Sequence, residues 1–242
     1  MPKYFIDDPK GVSIKLEGEI AHHLERVLRV RVGERVILCN GKSVDYHCIV
    51  ESVNPLNLRV ESQKDSETEP ILKLNLYQSI PKSDKLEWII QKSVELGVHS
   101  IIPIISEHSV VKKISGSGKM KRYQKIAESA AGQSMRGIIP KVHEPITMEE
   151  ALRYAKGLML AALEPSLKDL KQTAKKALDA VHFDNLNEIA LWIGPEGGFS
   201  LNEVELMKNE AFNFISLGPR VLRTETAAIA AVAQIMSAIG DE

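Results

Sequence analysis

From residue 71 onward, continuous apolar runs alternate with helical patterns, and this constrains the fold more than any other feature of the 242-residue chain. The runs Ser100-Ile101-Ile102-Pro103-Ile104-Ile105, Leu158-Met159-Leu160-Ala161-Ala162-Leu163 and Ile189-Ala190-Leu191-Trp192-Ile193 carry no polar alternation. Strands of that kind are buried on both faces, so the expectation is a mostly parallel sheet with helices on each side. Further strands are expected at 71–80 and 212–217. Helices are expected from Ser83 or Asp84 to about Leu96, over 119–131, 167–178 and 225–239, and from two capping boxes. Those boxes are Thr147-Met148-Glu149-Glu150 and Ser200-Leu201-Asn202-Glu203, in which a hydroxyl and a glutamate satisfy each other's end of the first turn.

The first seventy residues follow a different grammar. Val12-Ser13-Ile14-Lys15-Leu16 alternates with the period of a half-buried strand. Arg35-Val36-Ile37-Leu38-Cys39 runs into Asn40-Gly41, a hairpin turn, and 44–50 returns as its partner. Leu58-Arg59-Val60-Glu61 is one more short strand. Between these, apolar residues at 20, 24, 27 and 28 mark one face of a helix over 20–30. Short strands at this spacing suggest a small barrel. Residues 63–70 are polar and end in proline, which reads as a linker. The expected domains are therefore 1–70 and 71–242.

Lys+Arg is 31 and Asp+Glu is 32, so the chain is no global polycation. It has no apolar stretch of membrane-spanning length and no secretory pattern at its start, and is expected to be cytoplasmic. Cys39 and Cys48 are too few for a disulfide scaffold and are expected as small buried hydrophobes. No cysteine and histidine spacing suggests a metal, and none is expected.

In an open α/β sheet, ligands bind beyond the carboxyl ends of the strands. Three loops leave such ends: Leu163-Glu164-Pro165-Ser166, Gly194-Pro195-Glu196-Gly197-Gly198, and Gly218-Pro219-Arg220-Val221-Leu222-Arg223-Thr224-Glu225-Thr226. Glycine lets a ligand approach the backbone, and helix starts leave N–H groups unpaired; loops of this make suit an adenosine. The Gly194 loop lacks both the Gly-Lys-Ser/Thr of a phosphate cradle and the Gly-x-Gly-x-x-Gly of dinucleotide sites. Read alone, it is equally a plain strand-to-helix turn. Thr224 is expected as a helix N-cap. Glu225 complements the helix dipole or serves chemistry. Arg223 has no evident structural duty beyond a surface ion pair.

The last two of these loops, in this order, resemble the bacterial 16S rRNA uridine-N3 methyltransferases of the knotted SPOUT superfamily. The match runs through Ile193 to Ser200 and Leu217 to Ala227. It extends to 21–29, to 85–98 and to Gln133-Ser134-Met135-Arg136 with Ile139-Pro140. Departures from the family pattern stand at Lys3, His108 and Gly132. The resemblance implies a PUA-like N-terminal barrel that binds RNA, a parallel-sheet domain ending in a trefoil knot, and a homodimer. It implies S-adenosylmethionine as methyl donor and 16S rRNA of the small ribosomal subunit as substrate. It implies cofactor contacts from Leu163, Ile193, Gly194, Pro195, Glu196, Gly198, Leu217, Gly218, Leu222, Thr224 and Ala227. Arg223 is the expected stabiliser of the uridine imide anion, with Glu225 accepting the proton or holding the arginine.

Charge is uneven along the chain. Residues 111–141 hold eight basic side chains and one acid, Glu128. Lys121 and Lys125 share a helix face, with Arg122 beside them. Such a patch suits phosphate contacts, though a solvated helix face gives the same pattern. RNA contacts are therefore expected from Lys112, Lys121, Arg122, Lys125 and Arg136, with Arg26 and Arg29 contributing from the first domain. Two rival functions remain at this point: a related knotted enzyme acting on a ribose 2′-hydroxyl or a tRNA base, and a non-catalytic ribosome-assembly protein.

Overall fold

A computed structural model describes residues 3–110, 117–163, 172–173, 176–177 and 186–240. The chain forms two compact units, residues 1–69 with 128–139, and residues 70–127 with 140–242.

The first unit is built on β1 (Tyr4–Phe5), β2 (Ser13–Lys15), β3 (Arg35–Cys39), β4 (Val44–Val53) and β5 (Leu56–Asp65). Their order is β1-β3-β4-β5-β2; β1 runs parallel to β3 and the remaining pairs are antiparallel. Register shifts between His47 and Cys48 and between Val50 and Ser52 bend the β4–β5 ladder, as bulges do. The sheet curls, but β1 and β2 remain its edges among the described residues, so strand pairing does not close the expected barrel. Asn40 makes the hairpin turn: its Oδ1 accepts from the N–H of Lys42 at 2.8 Å and of Val44 at 3.1 Å. Cys39 and Cys48 are both buried, and burial pushes each thiol up to about 11.

The helical face expected over 20–30 is only partly realised. α1 (Gly18–His22) passes into a π-helical turn over His23–Val27. The wider turn breaks the 3.6-residue period. Leu24 and Val30 are buried, whereas Val27 and Leu28 face solvent.

Residues 63–69 are not a free linker. β5 continues to Asp65, which pairs with Val44. Ser66 N–H then donates to Ser43 at 2.8 Å, and the Thr68 hydroxyl donates to Met135 O at 2.8 Å. The Glu69 carboxylate accepts from the N–H groups of Gly137 at 2.9 Å and Ile138 at 3.2 Å, and pairs with the buried Arg136. Polar composition suggested solvation, but these groups find partners back at Ser43 and Val44 and, 67–69 positions on, at Met135, Gly137 and Ile138, which composition cannot show.

Segment 128–139, expected in the second domain, thus completes the first unit. Two of the departures from the family pattern meet in it: Lys3 N–H donates to Gly132 O at 2.9 Å, and a Cβ on Gly132 would lie 2.5 Å from Lys3 O. Lys3 itself is buried, with Nζ 2.7 Å from Asp45. Gly137 is as closely packed, since a Cβ there would fall 2.5 Å from Ser66 Cβ and 3.0 Å from Ser43 Cα. Gly137→Ala should therefore destabilise the protein by about 1–3 kcal/mol, the scale of overpacking, read as a lower urea midpoint. An unchanged midpoint would mean that the contact gives way freely.

The second unit carries β6 (Lys73–Ser79), α2 (Lys85–Glu95), β7 (Ser100–Ile105), α3 (Ser117–Gln133, whose last residues belong to the first unit), β8 (Lys141–Val142), β9 (Ile146–Thr147), α4 (Met148–Tyr154), β10 (Leu158–Ala162), β11 (Gln172–Thr173), β12 (Glu188–Ile193), α5 (Leu201–Asn209), β13 (Asn213–Ser216) and α6 (Thr224–Ala238). The sheet order is β11-β13-β10-β12-β6-β7-β8, with β9 also on β7, and every pair is parallel. On one face Tyr77, Ile102, Ala161, Ala190 and Trp192 pack with Met148 and Ala151 of α4 and Val204 and Met207 of α5. Tyr77 stacks on Trp192 with centroids 4.7 Å apart, and Phe212 meets it edge-on. The alternate residues, among them Leu74, Leu76 and Leu191, turn to the opposite face, where α6 packs against β12 and α2. The expected sheet, covered on both sides, is what forms.

Both capping boxes are made: Thr147 with Glu150, and Ser200 with Glu203. α2 begins after Asp84 without a side-chain cap. The helix expected over 167–178 lies outside the described residues, apart from 172–173 in β11 and the helical pair 176–177.

Candidate functional site

Strands β13, β10 and β12 are neighbours in the sheet, so their carboxyl ends lie side by side. They enclose a pocket, roofed by the first turn of α6, that is lined by Ala162, Leu163, Ile193, Gly194, Pro195, Glu196, Gly198, Leu217, Gly218, Arg220, Val221, Leu222, Thr224 and Ala227. Every residue expected to contact a cofactor lines this one pocket.

The loop after β12 folds back on itself. Gly198 N–H donates to Pro195 O at 3.0 Å, and Gly198 takes φ +68°. A Cβ on Gly194 would lie 3.2 Å from the Gly198 carbonyl carbon and from Phe199 N, a tight contact that would push the turn by a few tenths of an ångström. His108 caps it from the β7 side, with Nδ1 3.1 Å from Gly197 O and 3.2 Å from Gly198 O. A carbonyl only accepts, so Nδ1 carries the proton. After β13, Gly218 takes φ +110° and its N–H donates to Ser216 Oγ at 3.3 Å.

Thr224 is not the N-cap. That position is Arg223, and Thr224 is the first helical residue. Its buried hydroxyl instead donates to Gly194 O at 2.6 Å and accepts from Gln78 Nε2 at 3.1 Å. A partner in a distant strand outcompetes the local capping bond.

Lys85, at the start of α2, was not singled out by sequence reasoning. Its Nζ lies 2.9 Å from Glu196 Oε1 and 3.4 Å from Glu225 Oε2. The hydrogen bond with Glu196 is the main cause holding the Lys85 ammonium above its ordinary value. Burial alone would raise the Glu196 carboxyl, but Lys85 and backbone N–H groups overcome it and hold it below the usual range. Glu225 therefore faces Lys85, and no Arg223–Glu225 pair forms. The Arg223 side chain is exposed and makes no hydrogen bond or ion pair among the described residues.

The expected RNA contacts scatter more widely. Lys121 and Lys125 are exposed on α3, and Arg122 beside them is tied to Glu87 at 2.7 Å. Arg26 and Arg29 are exposed in the first unit. Arg136 is only 2% exposed and bound to Glu69, so it is a packing residue and offers RNA no free guanidinium. Lys112 lies outside the described residues. Among the described residues no cluster could hold a metal, and no helix is long and apolar enough to cross a membrane.

The parallel sheet with the glycine-lined pocket at its strand ends is an RNA methyltransferase domain, and the unit before it carries a PUA domain. Residues 67–236 match the RNA methyltransferase domain family, and residues 16–61 match the RNA methyltransferase PUA domain. The ribosomal RNA small subunit methyltransferase E of Bacillus subtilis (strain 168) is 34% identical over 247 residues, spanning 97% of this chain and 96% of its own. A methyltransferase of Legionella pneumophila, solved in complex with SAM, superposes with a TM-score of 0.83 at 34% identity over 98% of this chain and 97% of its own. Ribosomal RNA small subunit methyltransferase E of Neisseria gonorrhoeae, bound to S-adenosyl methionine, gives 0.84 at 30% identity over 98% and 97%. The chain belongs to the ribosomal RNA small subunit methyltransferase E family.

Proposed function

We propose that this protein transfers a methyl group from S-adenosylmethionine to N3 of a uridine in 16S rRNA of the small ribosomal subunit. We further propose that it acts in the cytoplasm as a homodimer, with the trefoil knot that the family resemblance implies. The observation that carries the reading is the convergence of the two glycine loops on one pocket beside the unpaired Arg223. The pocket fits the donor: its walls are largely backbone and small or aliphatic side chains, and glycines keep the turns clear of Cβ atoms. Leu163, Ile193, Gly194, Pro195, Glu196, Gly198, Leu217, Gly218, Leu222, Thr224 and Ala227 would hold it. When bound, it supplies a methyl group on a positively charged sulfur, already activated toward a nucleophile.

The chain's own task is then to position the uridine and manage its charge. Uridine N3–H is a weak acid, and the imide anion left by its deprotonation spreads charge over two carbonyls. We assign Arg223 to that charge, because its guanidinium is uncommitted. We assign the proton to Glu225, whose buried Oε2 has the Lys85 ammonium, 3.4 Å away, as its one partner among the described residues.

The deciding experiment is mass spectrometry of small-subunit rRNA after incubation with the protein and labelled donor. N3-methyluridine supports the reading. A methylated ribose in the rRNA, or label entering tRNA instead in a parallel incubation, would replace it, and no product at all would overturn it.

For the RNA surface we assign Lys121, Arg122 and Lys125, with Arg26 and Arg29. Replacing the first three together with alanine should weaken RNA binding and flatten its salt dependence, by about 0.7–0.9 in slope per lost phosphate contact. Cofactor affinity should stay constant. An unchanged slope would leave these residues as a solvated helix face.

A further inference from the structure

We propose that Gln78 is a positioning residue for the reaction: acting through Thr224, it sets the start of α6 against the Gly194 loop. This rests on the proposed function and adds a residue that touches neither donor nor RNA.

Gln78 is fully buried in β6, one residue past the end of a run that is otherwise apolar on its face, after Leu74 and Leu76. It does not line the pocket. Its Nε2 donates to Thr224 Oγ1 at 3.1 Å and to Ser79 O at 2.9 Å, which uses both amide protons. The Thr224 hydroxyl has one proton, and it goes to Gly194 O at 2.6 Å. Thr224 can therefore only accept from Gln78, and the chain has one polarity: amide to hydroxyl to carbonyl. The reversed amide would set its oxygen against Ser79 O, acceptor against acceptor.

The Oε1 atom of Gln78 is buried with no hydrogen-bond partner. An unmet acceptor in the interior costs stability, and a methionine of similar shape would avoid that cost. Gln78 is thus a poor choice for packing, and what it adds is the donated bond. The two elements it joins carry the pocket wall at Gly194 and the residues Arg223 and Glu225. Lys85, seven positions later, joins the same two elements again through Glu196 and Glu225. The stretch from β6 into α2 therefore sets the spacing of the site from behind. Small misplacements of reacting groups cost large factors in rate.

The test compares single-turnover methyl transfer by the full chain with saturating rRNA and S-adenosylmethionine, below the lowest melting temperature of the set. The variants are Gln78→Met, Thr224→Val, the double variant and Gln78→Leu. Each of the first two should slow transfer by about 10–100-fold, with RNA affinity within about two-fold of the native value. The double variant should be no slower than the slower single, because both break one chain. Gln78→Leu also removes the donated bond and should match Gln78→Met within about three-fold. Should Gln78→Met fail to fold, Gln78→Leu takes its place, alone and combined with Thr224→Val. Equal rates for the native protein and the folded Gln78 variant, or losses that multiply in the double variant, would each overturn the proposal. Native protein that methylates no RNA at all would overturn the proposed function instead.

Discussion

Replacing Arg223 with alanine should slow single-turnover methyl transfer by about 100–1,000-fold, the scale of losing one donor aimed at developing negative charge. Arg223 occupies the N-cap of α6, where it makes no side-chain capping bond. A cation at the positive end of a helix dipole is unfavourable there. Its side chain is exposed and has no partner among the described residues, while Leu222 and Thr224 on either side line the pocket. Nothing about the position serves stability, so the alanine variant should melt at or above the native temperature. Arg223→Lys should recover only part of the rate, because an ammonium cannot span two carbonyl oxygens as a planar fork does. A role confined to binding would raise KM and spare kcat. A near-native rate for the alanine variant would move the assignment to Arg220, which is exposed and lines the pocket itself.

Gly198→Val should abolish detectable S-adenosylmethionine binding by calorimetry. Gly198 sits at φ +68° on the pocket wall, a region that a β-branched residue all but avoids. Holding valine there costs about 1–3 kcal/mol, and release of that strain opens the Pro195–Gly198 turn. If the turn held, the side chain would still crowd the wall. The sheet of the first unit lies in a separate compact unit, so the far-UV circular dichroism should change little. Gly198→Ala should give a graded loss, since alanine tolerates this backbone better than valine. Native affinity in the valine variant would remove this loop from the donor site.

What could be read in advance was what local rules decide. The capping boxes at Thr147 and Ser200 form because both partners lie within one turn. The Asn40-Gly41 hairpin forms because one side chain satisfies the turn. The glycine loops could be placed at the carboxyl ends of the strands because continuous apolar runs lead into them, but which of their residues line the pocket came from the family resemblance, since read alone the Gly194 loop was equally a plain turn. Illegible was whatever depends on which distant segment arrives. Thr224 matches a capping residue, yet its hydroxyl serves Gly194 thirty positions earlier. Lys85 and Gln78 carry no pattern of their own and gain meaning only from Glu196 and Thr224. Arg136 looked like part of a basic run because its partner, Glu69, stands 67 positions away. The π-helical turn defeated a periodicity argument that assumed 3.6 residues per turn.

The first unit borrows residues 128–139, and the borrowing has a consequence in time. A ribosome that has made residue 69 has not yet made the strand-edge partner of Lys3, the packing surface at Gly137 or the guanidinium that neutralises Glu69. At roughly 5–20 residues per second, synthesis of the missing stretch takes about 4–14 s. Throughout that interval the nascent sheet carries the unpaired Glu69 carboxylate and open backbone groups that only water can serve. Its closure waits for residue 139, by when β6, α2 and β7 of the second unit have already been made, so the first unit closes only after the second has begun.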